Sequence, residues 1–501
     1  MFYKIILTSA VCLSTALSSS LVNAITLEEA TYIAIESNPE VRQAIARYRE
    51  ITEDGEISRH SGYYPNINLS AGIGRETTYG DSSTSSDVSL TRRELTLALN
   101  QPIFDGFSTK YEIERLSNEA EAERWNALIA VENTALEVAQ AYANILRYRE
   151  LVALADLNLE THTRIYGQIK LKSDTGIGRQ SDLSQITARL AKAHANNLAA
   201  INNLRDAESN YLNVVGQLPP EDLIYPVPDK DLIPDSLDVA IKQALAKNPA
   251  IEGAKWDVRA TESFKKISDS SLYPDINFAL ERSWDNNLDG DEGPSEDLLA
   301  MFRLSYDIYS GGNQKRQKEV AVQQNVQASE IRRNTIRDTE LTVRLAWAAY
   351  EATVGQKEHI RQYVISTKES QIAYEKQFRL GRRTLLDVLD SENELFQARQ
   401  DYVNADYDQL FSEFRLFNAK GELMRAFRIY RPQLLGFNDD FDYDHPPEKT
   451  SATQELRSVE QEVKKQVQTV PSSPTPVQRT DQTDSLEDEL FLEADDNTGS
   501  W

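Results

Sequence analysis

The chain has 501 residues, with 54 basic and 79 acidic side chains, a net charge of −25 and a mean hydropathy of −0.52. That balance excludes a phosphate-backbone binder, whose affinity rests on clustered Lys and Arg. Beyond the N-terminus there is no apolar run of about 18 residues, which excludes a spanning helix but not spanning β-strands, whose hydropathy signal is weaker.

Residues 1–24 read as a secretory signal: Lys4 is the basic start, Ile5–Leu17 the apolar run, and Val22-Asn23-Ala24 the cleavage site. The single cysteine, Cys12, lies inside it, so the mature chain carries no disulfide, thiol or thiolate–metal chemistry. Val11 and the early position of Cys12 argue against lipid attachment there.

Residues 25–217 then set out a pattern that 235–431 repeats. Leu27-Glu28-Glu29-Ala30, Ala34 and Asn38-Pro39 recur as Leu237-Asp238-Val239-Ala240, Ala244 and Asn248-Pro249. Tyr64-Pro65-Asn66-Ile67-Asn68 recurs as Tyr273-Pro274-Asp275-Ile276-Asn277, and Ile103-Phe104-Asp105-Gly106 as Ile308-Tyr309-Ser310-Gly311. Gly176, Asp182 and Gly216 recur as Gly381, Asp387 and Gly421. The Pro-rich stretch 218–234 joins the halves.

In each half two helices are predicted, the first at Leu27–Ser37 or Leu237–Lys247 and the second after the Asn-Pro. Two strands follow, at about 63–79 and 87–103, and again at about 273–285 and 297–309. Ile67, Leu69, Ala71 and Ile73 share one face opposite Asn66, Asn68 and Ser70; Leu95, Leu97 and Leu99 oppose Glu94, Thr96 and Asn100. Ile276, Phe278 and Leu280, then Ala300, Phe302, Leu304, Tyr306 and Ile308, repeat the alternation. Period-two patterning with one apolar face is the signature of a strand, and a half-buried hairpin in a soluble sheet has it too. Val88 and Leu90 are out of phase with Leu95, which predicts a bulge near Arg92-Arg93. Gly80–Ser86 and the acidic 285–293 are the loops.

Long helices follow the strands, at about 107–173, 179–215, 313–380 and 382–428. Phe107 to Tyr166 contains no Gly or Pro. Leu128, Val131, Ala135, Val138, Tyr142 and Ile145 trace a seam that slips one step and resumes at Tyr148, Val152, Ala155, Leu159 and Tyr166, as in a coiled coil with a stammer. The helices alone also fit an extended, soluble periplasmic coiled-coil scaffold. Four strands, however, cannot close a barrel, and an open sheet with an apolar outer face cannot sit in lipid. Three copies give twelve strands, an allowed even number. Tyr63, Tyr64, Phe104, Tyr273, Trp284 and Tyr309 at the strand ends suit interfacial girdles.

Taken together, the Leu-x-x-Ala…Asn-Pro openings, Tyr-Pro before the strands, Phe104-Asp105-Gly106 and Tyr309-Ser310-Gly311-Gly312 after them, and the helix tips resemble the TolC family of outer-membrane efflux and secretion channels, over about Ile25 to Arg431. The resemblance implies an α+β fold: a long antiparallel coiled-coil α-barrel continuous with a transmembrane β-barrel, four strands per protomer and twelve in a homotrimer. It also implies the outer membrane of a Gram-negative bacterium, a large periplasmic portion and no enzymatic activity. The implied partners are a periplasmic adaptor and an inner-membrane ABC transporter or proton-driven pump, with exported protein or small molecules as cargo and outer-membrane lipid around the barrel.

The segment from Phe378 through Leu380-Gly381-Arg382-Arg383-Thr384 to Asp390 resembles the family's periplasmic entrance. Asp387 and Asp390, three apart, share a helix face; in a trimer they make a ring of six carboxylates that resists full ionisation and attracts cations. Arg383 resembles the gate arginine that pairs across the subunit boundary with Asp182, next to Ser181. Phe378 stands where the family often has tyrosine. On spacing alone, Thr384-x-x-Asp387 is equally a capping-box-like helix start. Gly176-Ile177-Gly178 and Leu380-Gly381 form the helix-turn-helix tips where the family meets its adaptor. The stretch from Gly176 to Gln185, followed by Ala188-Arg189-Leu190, resembles members serving type I secretion of large adhesins or toxins, with multidrug efflux the alternative.

After Arg431 the composition turns acidic: residues 432–501 hold 16 acids and 5 bases, a net of −11. This predicts a disordered tail with transient helicity over Leu456–Val467. His60, His162, His194, His359 and His445 have no ligand spacing, so neither metal nor other cofactor is expected. Without a Walker loop, energy has to come from a partner. Asp387 and Asp390 on one helix face cannot flank a substrate as a glycosidase pair does.

Overall fold

The protein is described by a computed structural model covering residues 25–79, 87–428, 435–437 and 452–469. The export signal with Cys12, the Gly80–Ser86 loop and most of the tail lie outside the described residues. The first half runs α1 (Leu27–Ser37), α2 (Pro39–Tyr63), β1 (Asn66–Thr78), β2 (Val88–Asp105), α3 (Ser108–Asp174) and α4 (Gln180–Val215). The second repeats it as α5 (Leu237–Lys247), α6 (Pro249–Ser270), β3 (Asp275–Asn286), β4 (Pro294–Ser305), α7 (Asn313–Arg379) and α8 (Leu385–Lys420). A short α9 (Leu423–Ala426) and a further α10 (Ala452–Thr469) follow.

The repeated motifs are junctions. Asn38 caps α2, its Oδ1 accepting from the N–H groups of Glu40 at 2.8 Å and Val41 at 3.4 Å, with Pro39 in the first turn. Asn248 does the same for α6 through the N–H of Ala250 at 2.9 Å. Each Asn-Pro therefore ends one helix and starts the next at a corner. At the strand-to-helix junction Asp105 accepts from the N–H of Thr109 at 2.6 Å. Gly106 and Phe107 both take positive φ, 67° and 68°, to turn the chain out of the sheet.

The sheet is antiparallel throughout in the order β1-β2-β3-β4. Its register aligns Ile67, Leu99, Leu280 and Ala300 in one row, and Leu69 with Leu97 in the next. The predicted bulge near Arg92-Arg93 is absent, because β1 and β2 pair without interruption from Asn66↔Asn100 to Thr78↔Val88. Val88 and Leu90 sit on the face of Arg92 and Glu94, near the strand end, where both faces are solvated and alternation is no longer enforced. The bulge lies instead at Ile103, between Pro102 and Phe104. It shifts the phase by one, so that Phe104 pairs with Ile276 and joins the apolar face. There Phe104, Phe107 and Tyr273 meet edge to face, with centroids 5.2, 6.4 and 6.2 Å apart. β4 ends at Ser305, short of the predicted Tyr306 and Ile308.

α3 and α7 each run 67 residues, roughly 100 Å at about 1.5 Å per residue. Gly355 does not interrupt α7. The 36-residue α4 and α8 pair with only part of these lengths, and α2 and α6 pack along the remainder of α3 on the sheet side. The first seam run, Leu128 to Ile145, is buried as predicted. The second differs in phase: Leu154, Ala155, His162, Ile165 and Ile169 are buried, while Val152, Leu159 and Tyr166 are half-buried.

The main core gathers α1, α3, α4, α8, α9 and the linker around Tyr142, Tyr211, Tyr402, Tyr407, Phe414 and Phe417. The Tyr142 hydroxyl donates to the carbonyl pair of Ile25 and Ile224, at 2.8 and 2.7 Å. Burial pushes Tyr211 up to about 12. Below this core Glu422 accepts from Lys247 at 2.5 Å and Lys420 at 2.9 Å. Burial pulls its pKa upward, and the bonds from Lys247 and Lys420 outweigh that, leaving it below the usual value. A depressed folded pKa contributes stability that is fully present above the unfolded value of roughly 4.3 and lost as pH falls through the folded one. Glu422→Gln is therefore expected to flatten the acid limb of a melting-temperature profile below about pH 4.3 while lowering stability at neutral pH. An unchanged acid limb would place the acid sensitivity elsewhere.

α10 departs from the disorder expected of the tail. It packs on α7 and α8, burying Leu456 and Val463, seven residues apart on one helix face. Arg399 holds it with a fork, Nε and Nη2 donating to Glu460 Oε1 and Oε2, both at 2.5 Å.

Candidate periplasmic entrance

The two hairpin tips are built alike, far from the sheet. At the first, the N–H of Gly176 donates to Ser173 O at 3.0 Å and that of Ile177 to Lys172 O at 3.0 Å. At the second, the N–H of Gly381 donates to Phe378 O and that of Arg382 to Gln377 O, both at 2.9 Å. Gly176 (φ 75°) and Gly381 (φ 72°) take the left-handed turn this reversal requires. Ile177 and Leu380 project from the tips, 84% and 71% exposed.

Just above the tips Ile165, Ile169, Ile186, Leu385 and Leu389 form a separate small core, with Phe378 packed against it. Phe378 lies under the Lys172 ammonium, 5.5 Å from its ring centroid. Apolar packing and this cation thus hold the position without a hydroxyl.

Asp387 is the capping residue its spacing allows. It accepts from the Thr384 amide at 2.9 Å and hydroxyl at 2.8 Å, and its own amide donates back to Thr384 Oγ1 at 3.3 Å. The Thr384 amide, then its hydroxyl, hold the Asp387 carboxyl below its ordinary value. Within a protomer this carboxylate is therefore favoured in its charged form. Asp390 has a partner the sequence did not announce: Arg189 Nη2 of α4 donates to its Oδ1 at 2.7 Å. The bond ties the two hairpins together and offsets half of the expected carboxylate pair.

Arg383 lies over the Tyr374 ring at 4.5 Å, donates to Gln377 Oε1 at 3.1 Å and stands 3.7 Å from Asp387. Among the described residues, no hydrogen bond or ion pair joins Arg383 to Asp182 within the protomer. Asp182 sits in the first turn of α4, 3.4 Å from the Ser181 hydroxyl. Tyr374 and Gln377 were missed in the sequence; their signal is position, two turns and one turn before the tip on the face that Arg383 folds back over.

Nearly the whole core, over residues 30–217 and 240–422, matches the family described as outer membrane efflux protein. The chain belongs to that family. Each matched segment is one of the two repeats. Outer membrane efflux protein BepC of Brucella suis is 28% identical over 424 residues, covering 84% of this chain and 91% of BepC. Outer membrane protein TolC of Escherichia coli is 26% identical over 416 residues, covering 77% of this chain and 80% of TolC. The Campylobacter jejuni CmeC outer membrane channel superposes with a TM-score of 0.69 at 15% identity, over 87% of this chain and 89% of CmeC.

As an outer membrane efflux protein the chain is an outer-membrane channel of a tripartite system, with a large periplasmic tunnel, and not a soluble scaffold. The family's members are trimers that work with periplasmic adaptors and inner-membrane pumps; they are channels, not enzymes. Among the described residues no helix is long and apolar enough to cross a membrane, and the sheet is the element with the spanning pattern.

Proposed function

We propose that this outer membrane efflux protein is the exit duct for a polypeptide cargo, in a type I secretion system with an inner-membrane ABC transporter. The duct itself rests on one observation: an open four-stranded sheet, apolar on one face, is joined to two helices of 67 residues. Only sister copies complete such a wall, and the helices then enclose a tunnel of roughly 100 Å. What favours a polypeptide is the first-half tip, Gly176 to Gln185 with Ala188-Arg189-Leu190, and the absence of a lipid-attachment cysteine from the mature chain. The adaptor docks on the projecting tips at Gly176, Ile177, Gly178, Leu380 and Gly381. Asp387 and Asp390 ring the entrance, and Arg383 reaches Asp182 of the neighbouring copy to keep it closed.

Small-molecule export by a multidrug pump is the second reading, favoured by the word efflux in the family description and in the name of BepC. Deleting the gene separates the two. Loss of a large secreted protein from the medium, with drug susceptibility unchanged, is the expected outcome. Sensitisation to hydrophobic drugs with secretion intact would assign the duct to efflux.

A further inference from the structure

The outward, lipid-facing side of the sheet changes character toward its outer end. Ile67, Leu69, Ala71 and Ile73 on β1 give way on the same face to Arg75, and Leu99, Leu97 and Leu95 on β2 give way to Arg93. On β3 the same face carries Arg282, followed by Trp284. Ile276 to Trp284 spans eight residues, about 26 Å along the strand and roughly 20 Å once tilted, close to the height of an outer-membrane apolar band. Arg75 and Arg93 thus stand where hydrocarbon ends and headgroups begin, whereas Arg282, in register with Leu97, lies within the band.

Their pairing differs from that of the arginine on the other face. Arg92, facing the lumen, is neutralised by Glu76 at 3.1 Å, Asp289 at 3.4 Å and the adjacent Glu94. Arg75 donates to the Ser89 hydroxyl at 2.9 Å, and neither it nor Arg93 has a carboxylate partner among the described residues. Arg282 pairs with Glu296 at 2.6 Å and lies 5.3 Å from the Trp284 ring. Among the described residues of the four strands, this face carries three guanidinium groups and one carboxylate, Glu296, on a chain whose net charge is −25. Arg93 pairs in register with Ile73, and Arg75 with Thr91, so the two arginines are diagonal neighbours, about 7–8 Å apart at Cα and within side-chain reach of one group.

We infer that Arg75 and Arg93, with Trp284 diagonal to Arg93 on β3, bind the phosphate of the phosphorylated glycolipid in the outer leaflet. A guanidinium fork matches phosphate oxygens in pairs, and the lipid supplies the countercharge the protein withholds on this face. Its acyl chains lie along Ile73 and Leu95 beneath, and the Trp284 ring suits the boundary level. The inference rests on the outer-membrane placement and is independent of the cargo.

The test uses the detergent-solubilised trimer and native mass spectrometry with added bis-phosphorylated lipid A, dephosphorylated lipid A or inorganic phosphate. Wild-type protein is expected to retain the phosphorylated lipid, up to three per trimer by symmetry, and to release the dephosphorylated one. Arg75→Gln with Arg93→Gln is expected to lower retention about tenfold, and the Lys double variant to lower it less. Arg303→Gln, on the lumen face, is expected to leave it unchanged. The single Arg75→Gln and Arg93→Gln variants read the same effect in part should the double variant not assemble. Equal retention of both lipid forms, no loss in any of these variants, or displacement by equimolar inorganic phosphate would overturn the assignment.

Discussion

Asp406→Ala is expected to destabilise the protomer by about 3–5 kcal/mol, the cost of stripping one partner from a buried ion pair. Asp406 is 2% exposed on α8. It accepts from the Lys357 ammonium of α7 and, at 2.7 Å, from the Tyr225 hydroxyl of the linker between the repeats. Burial, with the Asp406 carboxylate beside it, pushes the Tyr225 hydroxyl well above the usual range, so it stays protonated and donates. One carboxylate thus joins both halves of the second hairpin to the segment connecting the repeats. Alanine would leave an ammonium and a phenol facing a cavity. The loss should appear as a lower midpoint for thermal dissociation of the trimer. The triple variant Asp406→Leu, Lys357→Met, Tyr225→Phe removes all three polar groups and is expected to recover most of it, because a buried pair is often replaceable by apolar packing. If Asp406→Ala melts like wild type, water reaches this site.

The parts of the fold that sequence foretold are those fixed by local rules. Breaker-free runs gave α3 and α4, alternation gave β1 to β4, and each Asn-Pro corner marked a helix boundary because capping is decided within a few residues. The Ile103 bulge was hidden because Pro102-Ile103-Phe104 is apolar in either phase, so alternation could not report the slip. The helicity over Leu456–Val467 was legible, but the docking of α10 was hidden by averaging: acidic composition predicts disorder, whereas a stripe holding Leu456 and Val463 with Glu460 toward Arg399 needs only one turn-to-turn pattern to dock. At the entrance, the Thr384–Asp387 cap was legible from spacing. The Arg189–Asp390 bond was not, since it spans 201 positions and depends on how two coiled coils are rotated against each other.

Arg383→Ser is expected to raise the open population of the channel by about a hundredfold. In the protomer, Arg383 rests on Tyr374, Gln377 and a 3.7 Å approach to Asp387, none of them a tight carboxylate fork. It is thus available to an acid on a neighbouring copy, and Asp182 in the first turn of α4 occupies the position equivalent to Asp387 in the other repeat. A partly exposed pair contributes about 1 kcal/mol, and threefold symmetry sums three of them to roughly 3 kcal/mol, or two powers of ten in the closed-to-open ratio. Conductance of single trimers in a planar bilayer reads this directly. Asp182→Ala should match Arg383→Ser, and the two together should add little, since each removes the same pairs. The exchange Arg383→Asp with Asp182→Arg should restore low conductance. The Arg189–Asp390 bond provides the contrast: it lies within one protomer, so Arg189→Ala should loosen the hairpin pair without reproducing the full opening. If an intact Arg383→Ser trimer conducts like wild type, the closed state is held by the apolar packing of Ile186, Leu385 and Leu389 rather than by charge.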